Sequence, residues 1–163
     1  MPTIRNARPE DLDAIAALEA LCFPPAEAAT REDFAARLAH YPEGFWLLEE
    51  GGALCAFADG FATDEPDLRD EMYENAALHD ALGAWQMVFG LNTRPDCRGR
   101  GYASELMRRV IADAREKRRR GVVLTCKAAL LPFYARLGFS DEGVTEKSVH
   151  GGAVWHQMRL TLE

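Results

Sequence analysis

The N-terminal part of the chain begins with a short apolar run and then changes to helical spacing. Residues 3–7 are typical of a short strand. After them Leu12, Ile15, Leu18 and Cys22 recur every three or four residues, which places them on one face of a helix. This pattern predicts a strand followed by an amphipathic helix.

A second helix and a hairpin are predicted next. Pro24 and Pro25 end the first helix, and residues 30–33 have the composition of a capping box that begins another. The runs 45–49 and 54–61 are strand-like and are separated by two glycines, which tolerate positive φ. We therefore predict a β-hairpin.

The following segment, residues 63–80, is rich in acidic residues. It carries seven Asp and Glu side chains and shows neither strand alternation nor a broad apolar face. We predict a mobile acidic loop or a short helix.

The C-terminal half alternates between buried strands and helices. Residues 85–93 are apolar on both faces, and from Tyr102 onward apolar residues recur at helical spacing. Residues 122–126 predict a strand, 128–137 a short helix, and the remainder two strands joined near residues 151–152. This order predicts an α/β domain with a central mixed sheet.

Composition narrows the class of protein. A chain of 163 residues with 48% hydrophobic and 28% charged residues fits one globular domain spanning 1–163 and excludes bulk disorder. The chain has no apolar run of bilayer length and no leader-like start, so we expect a cytoplasmic protein without a membrane partner.

A net charge of −7 disfavours nucleic acid as a partner. The four scattered cysteines show no metal-binding spacing, so we expect reduced thiols and no metal.

The strongest local motif is a glycine-rich run, Arg98-Gly99-Arg100-Gly101-Tyr102-Ala103, between a buried strand and a helix. Free N–H groups at a helix N-terminus attract anions, and three arginines, Arg94, Arg98 and Arg100, add charge. A pyrophosphate fits such a site. A tight connection with solvated arginines is the alternative. The run matches neither a P-loop nor a dinucleotide fingerprint.

Two motifs together resemble the GNAT family of acetyl-CoA-dependent N-acetyltransferases. The run from Thr93 to Ala103 matches the family's [RQ]-x-x-G-x-[GA] motif through Arg98, Gly101 and Ala103, and residues 131–139 match its FYxxLGF segment. The element order also agrees. The resemblance therefore implies a three-layer α/β fold with a central mixed, mostly antiparallel twisted sheet flanked by helices.

A closer branch is also indicated. Residues 126–134, residues 8–11 and the acidic stretch before Trp85 look like the arylalkylamine (serotonin) N-acetyltransferases. This branch implies that acetyl-CoA is the cosubstrate and a small-molecule amine the acceptor. A homodimer is left open.

The resemblance also implies site residues. The main chain of Leu91, Asn92 and Thr93 is similar to the segment that pairs with the pantetheine arm, and residues 99–104 correspond to the pyrophosphate loop. The implied cofactor-binding residues are Leu91, Asn92, Thr93, Arg98, Gly99, Arg100, Gly101, Tyr102, Ala103 and Ser104. Tyr134 matches the family's tyrosine, whose hydroxyl protonates the departing CoA thiolate. A core aromatic is the alternative for Tyr134.

One departure concerns the general base. The serotonin acetyltransferases have two histidines on the strand before the motif, and the matching positions here are Met87 and Phe89, neither of which accepts a proton. His79, His150 and His156 are candidate bases, although lone histidines are more often structural.

These observations predict an N-acetyltransferase that acts by direct transfer in a ternary complex. No nucleophile with an adjacent base is evident in the sequence, since Cys126 has the character of a buried filler. We expect main-chain N–H groups near Leu91 to hold the oxyanion. Two other classes stay open: a CoA-binding module that has lost catalysis and a structural protein that keeps only the fold.

The expected acceptor is a small cationic amine with an apolar body. Residues 64–74 would attract it electrostatically, and apolar side chains near Phe23 and Met87 would hold it. The alternative is that these carboxylates only solvate a loop.

Overall fold

A computed structural model describes residues 2–162. The strands are β1 (Thr3–Asn6), β2 (Phe45–Glu50), β3 (Ala53–Asp59), β4 (Ala62–Thr63), β5 (Trp85–Val88), β6 (Gly90–Thr93), β7 (Gly121–Cys126), β8 (Ser140–Val144) and β9 (His156–Thr161). The helices are α1 (Leu12–Cys22), α2 (Arg31–His40), α3 (Glu71–Glu74), α4 (Tyr102–Glu116) and α5 (Leu131–Arg136). A 3-10 turn, Pro9–Asp11, precedes α1.

The strands form a mixed and mostly antiparallel arrangement. One sheet has the order β1-β2-β3-β6 and the other the order β4-β5-β7-β9-β8. Each pair is antiparallel except β5 with β7, which α4 connects as a parallel crossover. The predicted fold class is confirmed.

The two sheets separate at one point. Residues 85–93 were expected to form one strand, but Phe89 interrupts it. The amide of Phe89 donates to the carbonyl of Asp59 (2.7 Å), and Gly90 also lies in register with Asp59, so two residues oppose one, as in a β-bulge. Before the bulge β5 pairs with β7, and after it β6 pairs with β3. A cleft therefore opens between β6 and the end of β7.

Helices cover both faces of the sheets, which makes three layers. Side chains alternate between the faces of β2: Trp46 and Leu48 pack with α4, while Phe45 and Leu47 pack with α1 and α2. Of the six apolar residues predicted for one face of α4, Ala103 is partly buried and five are buried: Leu106, Met107, Val110, Ile111 and Ala114. The predicted capping box of α2 is present, with the amide of Asp33 donating to Thr30 Oγ1 (3.1 Å).

Of the two structures predicted for the acidic segment, a mobile loop or a short helix, the short helix is present. The segment contains α3, and Leu68 and Met72 are fully buried. Its carboxylates bind β9 and the connection before it: Asp67 pairs with Lys147 of the connection (2.6 Å) and with Arg159 of β9 (2.8 Å). The buried apolar side chains of the segment are Leu68, Met72 and Ala76, which are too few for the broad apolar face of a long helix.

Two classes of feature are absent from the part of the chain that the structure describes. Within residues 2–162 no helix has the length and apolarity to cross a bilayer. In the same range, no group of three or more His, Cys, Asp or Glu side chains is arranged to hold a metal ion.

A buried ion pair connects α2 to β3. Arg37 Nη1 lies 2.9 Å from Asp59 Oδ2, and Nη2 donates to the carbonyl of Tyr73 (2.9 Å). The guanidinium lies between the rings of Phe34 and Phe89, 5.2 Å from each centroid. Burial raises the pKa of Asp59 to about 7, against the opposing effect of Arg37. The pair therefore joins three segments of the chain beside the bulge.

Removing one partner of this pair leaves an uncompensated polar group in the core. We expect Arg37→Met to lower the free energy of unfolding by about 3–5 kcal/mol. Arg31→Met is the control, because Arg31 makes an exposed pair with Asp13, and should change stability by about 0.5 kcal/mol or less. Urea unfolding measures both; equal effects would show that the buried pair contributes no more than a surface pair.

Candidate functional site

The cleft contains two adjoining cavities. The first, here called the loop cavity, lies along β6 and the glycine-rich loop. The second, here called the acidic cavity, lies between β6, β7 and the segment joining α1 to α2, and encloses about 280 Å³. The cavities share four lining residues: Phe23, Leu91, Leu130 and Tyr134. Ligands bound in the two cavities would therefore meet at these four residues.

The glycine-rich loop needs its glycines for conformation. Gly99 and Gly101 have φ of +80° and +81°, a region that disfavours residues with a Cβ. A Cβ built at either position has no neighbouring atom within 4 Å, so the loop leaves open space above its backbone. Gly101 is also the N-cap of α4, a helix of 15 residues, and provides no side chain of its own to cap it. The N–H groups of the first turn of α4 are thus available to an anion.

The main chain of β6 presents alternate groups to the cleft. The amide of Arg94 donates to the carbonyl of Cys55 (2.8 Å), so in this antiparallel pair the groups of Asn92 also point to β3. Those of Leu91 and Thr93 consequently point away from β3. The carbonyl of Thr93 meets Cys22 Sγ and Arg98 Nε, each at 3.4 Å. An extended ligand can pair with this exposed edge.

Most of the residues expected to bind the cofactor come together. The loop cavity is lined by Leu91, Asn92, Thr93, Arg98, Gly99, Gly101, Tyr102, Ala103 and Ser104. Arg100 is the exception, because its guanidinium turns to Glu50 (3.2 Å). Arg94 likewise turns to Asp96 (2.6 Å), so Arg98 is the arginine of the three that lines the cavity.

Tyr134 lies on the wall that the two cavities share. It is the buried residue of α5, and burial raises the pKa of its phenol well above the usual range. The hydroxyl therefore stays protonated and can act as a donor. Burial also raises the pKa of the neighbouring Cys126 to about 11, which keeps this residue a thiol and not a nucleophilic thiolate.

The acidic cavity contains more carboxylates than cations. Four acidic side chains line it, Glu19, Glu27, Asp33 and Glu74, against the cationic Arg37 and Lys127. Aromatic side chains provide the apolar part of the wall: Phe23, Tyr73, Phe89 and Trp155. Such a lining attracts a cation with an apolar body.

Glu19 was not among the residues singled out in the sequence. It is 6% exposed; Asn92 Nδ2 donates to Oε1 (2.7 Å) and the amide of Ala29 donates to Oε2 (2.9 Å). It thereby ties α1 to β6 beside the bulge. Its position four residues after Ile15 places a carboxylate on the apolar face of α1. A charged residue at such a position is the feature of the sequence that indicates a buried functional group.

Met87 and Phe89, the positions compared above with the histidines of the serotonin N-acetyltransferases, differ in environment. Met87 is fully buried in the core on the side of α1 and α2. It lines neither cavity, so the expectation that it helps to hold the acceptor amine is wrong. Phe89 lines the acidic cavity. The direction of each side chain follows from strand alternation interrupted by the bulge.

The four histidines have different surroundings. His79 accepts a hydrogen bond from the amide of Ala62 (3.1 Å) and contacts Glu43, a structural role. His156 contacts Asp141, and His40 ends α2 at the surface. His150 is the one histidine among the described residues that lines the acidic cavity.

Comparisons with known proteins agree with this geometry. The model of the acetyltransferase (GNAT) family matches residues 12–139. GphF, a GNAT-like decarboxylase solved in complex with isobutyryl-CoA, shares 27% identity over 99% of this chain and 100% of its own, with a TM-score of 0.84. No curated protein matches the chain.

Two further structures share the fold at lower identity. The loading GNATL domain of CurA from Lyngbya majuscula is 16% identical over 99% of this chain and 98% of its own, with a TM-score of 0.85. An N-acetyltransferase from Staphylococcus aureus Mu50 is 21% identical over 100% and 98%, with a TM-score of 0.69. With a family match over most of its length and a fold that agrees throughout, the chain belongs to the acetyltransferase (GNAT) family.

Proposed function

We propose that the protein transfers the acetyl group of acetyl-CoA to a primary amine of a small molecule by direct attack in a ternary complex. The observation that carries this proposal is the junction of the two cavities at Leu91 and Tyr134. One cavity suits a pyrophosphate and an extended arm, and the other suits a cation. Their junction is where a thioester and an amine would meet.

The loop cavity fits CoA through features of this chain. The open space above Gly99 and Gly101 admits a pyrophosphate, and the N-terminus of α4 with Arg98 supplies donors and charge. The exposed edge of Leu91 and Thr93 offers main-chain partners to the amides of pantetheine. Bound CoA supplies the thioester whose carbonyl the amine attacks.

Two groups at the junction would assist the transfer. The N–H of Leu91 faces the cleft and would stabilise the oxyanion, a contribution of about 3 kcal/mol for such a donor. Tyr134 would give its proton to the sulfur as the C–S bond breaks, and would regain a proton from the nitrogen that has become positively charged. Atoms and charges then balance without an acyl-enzyme.

The acidic cavity supports a cationic acceptor, such as an arylalkylamine or a polyamine. The attraction comes from carboxylates inside the cavity, since Glu74 is the one carboxylate of the acidic segment that lines it. The other carboxylates of that segment are engaged elsewhere, as in the pairs of Arg69 with Glu65 and Glu71. Long-range attraction by the whole segment is therefore a weaker proposal than local recognition.

A second candidate function is decarboxylation of a 2-carboxyacyl-CoA. It is favoured by the likeness to the GNAT-like decarboxylase and by the donors in the acidic cavity. Arg37, whose Nε has no hydrogen-bond partner among residues 2–162, lines that cavity with Lys127 and Thr125. The N–H of Leu91 would serve equally for the enolate oxygen that remains when carbon dioxide leaves.

A product assay separates the two candidates. With acetyl-CoA and a panel of arylalkylamines, polyamines, amino acids and aminoglycosides, we expect release of free thiol and an amine heavier by one acetyl group. With malonyl-CoA or methylmalonyl-CoA alone, we expect no carbon dioxide. Thiol release and mass spectrometry measure both, and decarboxylation without amine acetylation would select the second candidate.

Substitution of the loop glycine tests cofactor binding. Saturating acetyl-CoA, at 100 times its Kd, should stabilise the wild type by about 2.7 kcal/mol. Gly101→Glu places a carboxylate and added bulk where the pyrophosphate would lie, so its melting temperature should not respond to acetyl-CoA. Gly52→Glu is the control, because Gly52 has the same φ of +81° and open surroundings in the β2–β3 turn. An unchanged response in folded Gly101→Glu would refute the site.

Removal of the Tyr134 hydroxyl tests its role as the proton donor. Tyr134→Phe keeps the ring, so we expect kcat to fall about 100-fold while acetyl-CoA affinity and melting temperature change little. Tyr41→Phe is the control: Tyr41 is fully buried in the core, away from both cavities, and should keep the wild-type rate. A folded Tyr134→Phe enzyme with wild-type kcat, where chemistry limits turnover, would exclude the role.

A further inference from the structure

We propose that His150 is the catalytic group that takes the proton from the acceptor ammonium, and that Asp70 is a positioning residue that holds it in the acidic cavity. This inference rests on the proposed amine acetylation. It supplies a base for which the strand positions Met87 and Phe89 offer no candidate. It also gives the acidic segment a role other than attraction of substrate.

The contacts of His150 leave one ring nitrogen free to accept a proton. Nε2 lies 2.6 Å from the carbonyl oxygen of Glu27, an acceptor only, so Nε2 must carry the hydrogen and donate it. In the neutral imidazole Nδ1 then has the lone pair. The ring stacks on Tyr73, with centroids 4.9 Å apart and planes at 20°, which fixes its plane. The neutral ring of His150 thus has a defined tautomer, with Nδ1 as the acceptor.

The carboxylates of the cavity are less suited to this step because most are already engaged. Glu19 accepts hydrogen bonds on both oxygens, and Glu27 pairs with Lys127 (2.8 Å). Asp33 accepts from the amide of Thr30 in the capping box (2.9 Å). Glu74 is exposed at the rim. An imidazole is also the side chain whose ordinary titration lies near neutral pH, which suits a general base.

Asp70 fixes the backbone that carries His150. Its Oδ1 accepts from Ser148 Oγ (2.9 Å), its Oδ2 accepts from the amide of Val149 (3.0 Å), and its own amide donates to the carbonyl of Lys147 (3.1 Å). Ser148 is fully buried. The side chain and the amide of Asp70 therefore hold all three residues that precede His150. Tyr73, three residues after Asp70, supplies the ring on which His150 stacks.

The remaining groups around His150 come from three other places. Glu27 and its partner Lys127 lie on the side of the α1–α2 segment and the end of β7. Trp155 Nε1 donates to the carbonyl of His150 (2.8 Å), and its ring lies 6.3 Å away. The charged groups on the packed elements are therefore Asp70, Glu74, Glu27 and Lys127.

The proton step is balanced within the proposed reaction. His150 takes one proton from the ammonium and becomes imidazolium, which leaves a neutral amine for attack on the thioester carbon. The imidazolium later loses this proton to solvent. The second proton on the nitrogen is released after the C–N bond forms and restores Tyr134. One amide, one CoA thiol and one proton result.

The test is the pH dependence of kcat/KM with a good amine acceptor. His150→Gln keeps a donor for the carbonyl of Glu27 and removes the base, so we expect kcat/KM to fall about 100-fold and the acidic limb of the profile to disappear. His40→Gln, at the end of α2, should keep both the rate and the limb. Acetyl-CoA should stabilise all three proteins equally, which shows that the cofactor site is intact.

Asp70 variants test the positioning role separately. Asp70→Ala should lower kcat about tenfold and keep the acidic limb, and Asp70→Asn should restore part of the rate because its amide oxygen still accepts one bond. If the wild type acetylates amines and His150→Gln keeps the wild-type rate and the acidic limb of its pH profile, the role of His150 is overturned. The proposed acetyltransferase function would then still stand. Absence of amine acetylation by the wild type would overturn both. Loss of the limb in Asp70→Ala, or no loss of rate, would overturn the positioning role.

Discussion

The functional architecture depends on the bulge opposite Asp59. Because Phe89 and Gly90 share one partner residue, the chain leaves the sheet containing β7 and continues in the sheet containing β3. This change of sheet opens the cleft and leaves the main chain of Leu91 without a neighbouring strand on that side. It also exposes Phe89 to one cavity while Met87 stays in the core.

The bulge is surrounded by a charged cluster and not by a simple apolar core. Arg37, Asp59 and Glu19 come from α2, β3 and α1, and a Cβ at Gly90 would lie 3.1 Å from Asp59 Oδ1 and 3.7 Å from Glu19 Oε1. The first contact is tighter than usual, so a side chain at residue 90 would have to displace the Asp59 carboxylate by a few tenths of an ångström. Burial of charges is costly unless each is paired, so the cluster fixes one arrangement of the helices over the cleft.

Most of the fold could be predicted from local patterns in the sequence. The apolar spacing of α4, the capping box of α2 and the glycine-rich loop all depend on residues within a few positions of one another, and each is present as expected. The split at Phe89 was not predictable in this way, because residues 85–93 have apolar side chains on both faces and the bulge depends on pairing with Asp59, which lies about thirty positions earlier. For the same reason the contacts of Asp70 with Ser148 and Val149 had no signal in the sequence.

The two cavities are made from different parts of the polypeptide. The loop cavity relies on backbone conformation and on main-chain groups of β6, whereas the acidic cavity relies on side chains from α1, α2, the α3 segment, β7 and the β8–β9 connection. Outside Glu19 and Arg37, which hold the bulge, substitutions can therefore accumulate around the acidic cavity without disturbing the backbone that forms the other. Such a division allows a lineage to diversify in the compounds it modifies while its donor molecule stays the same.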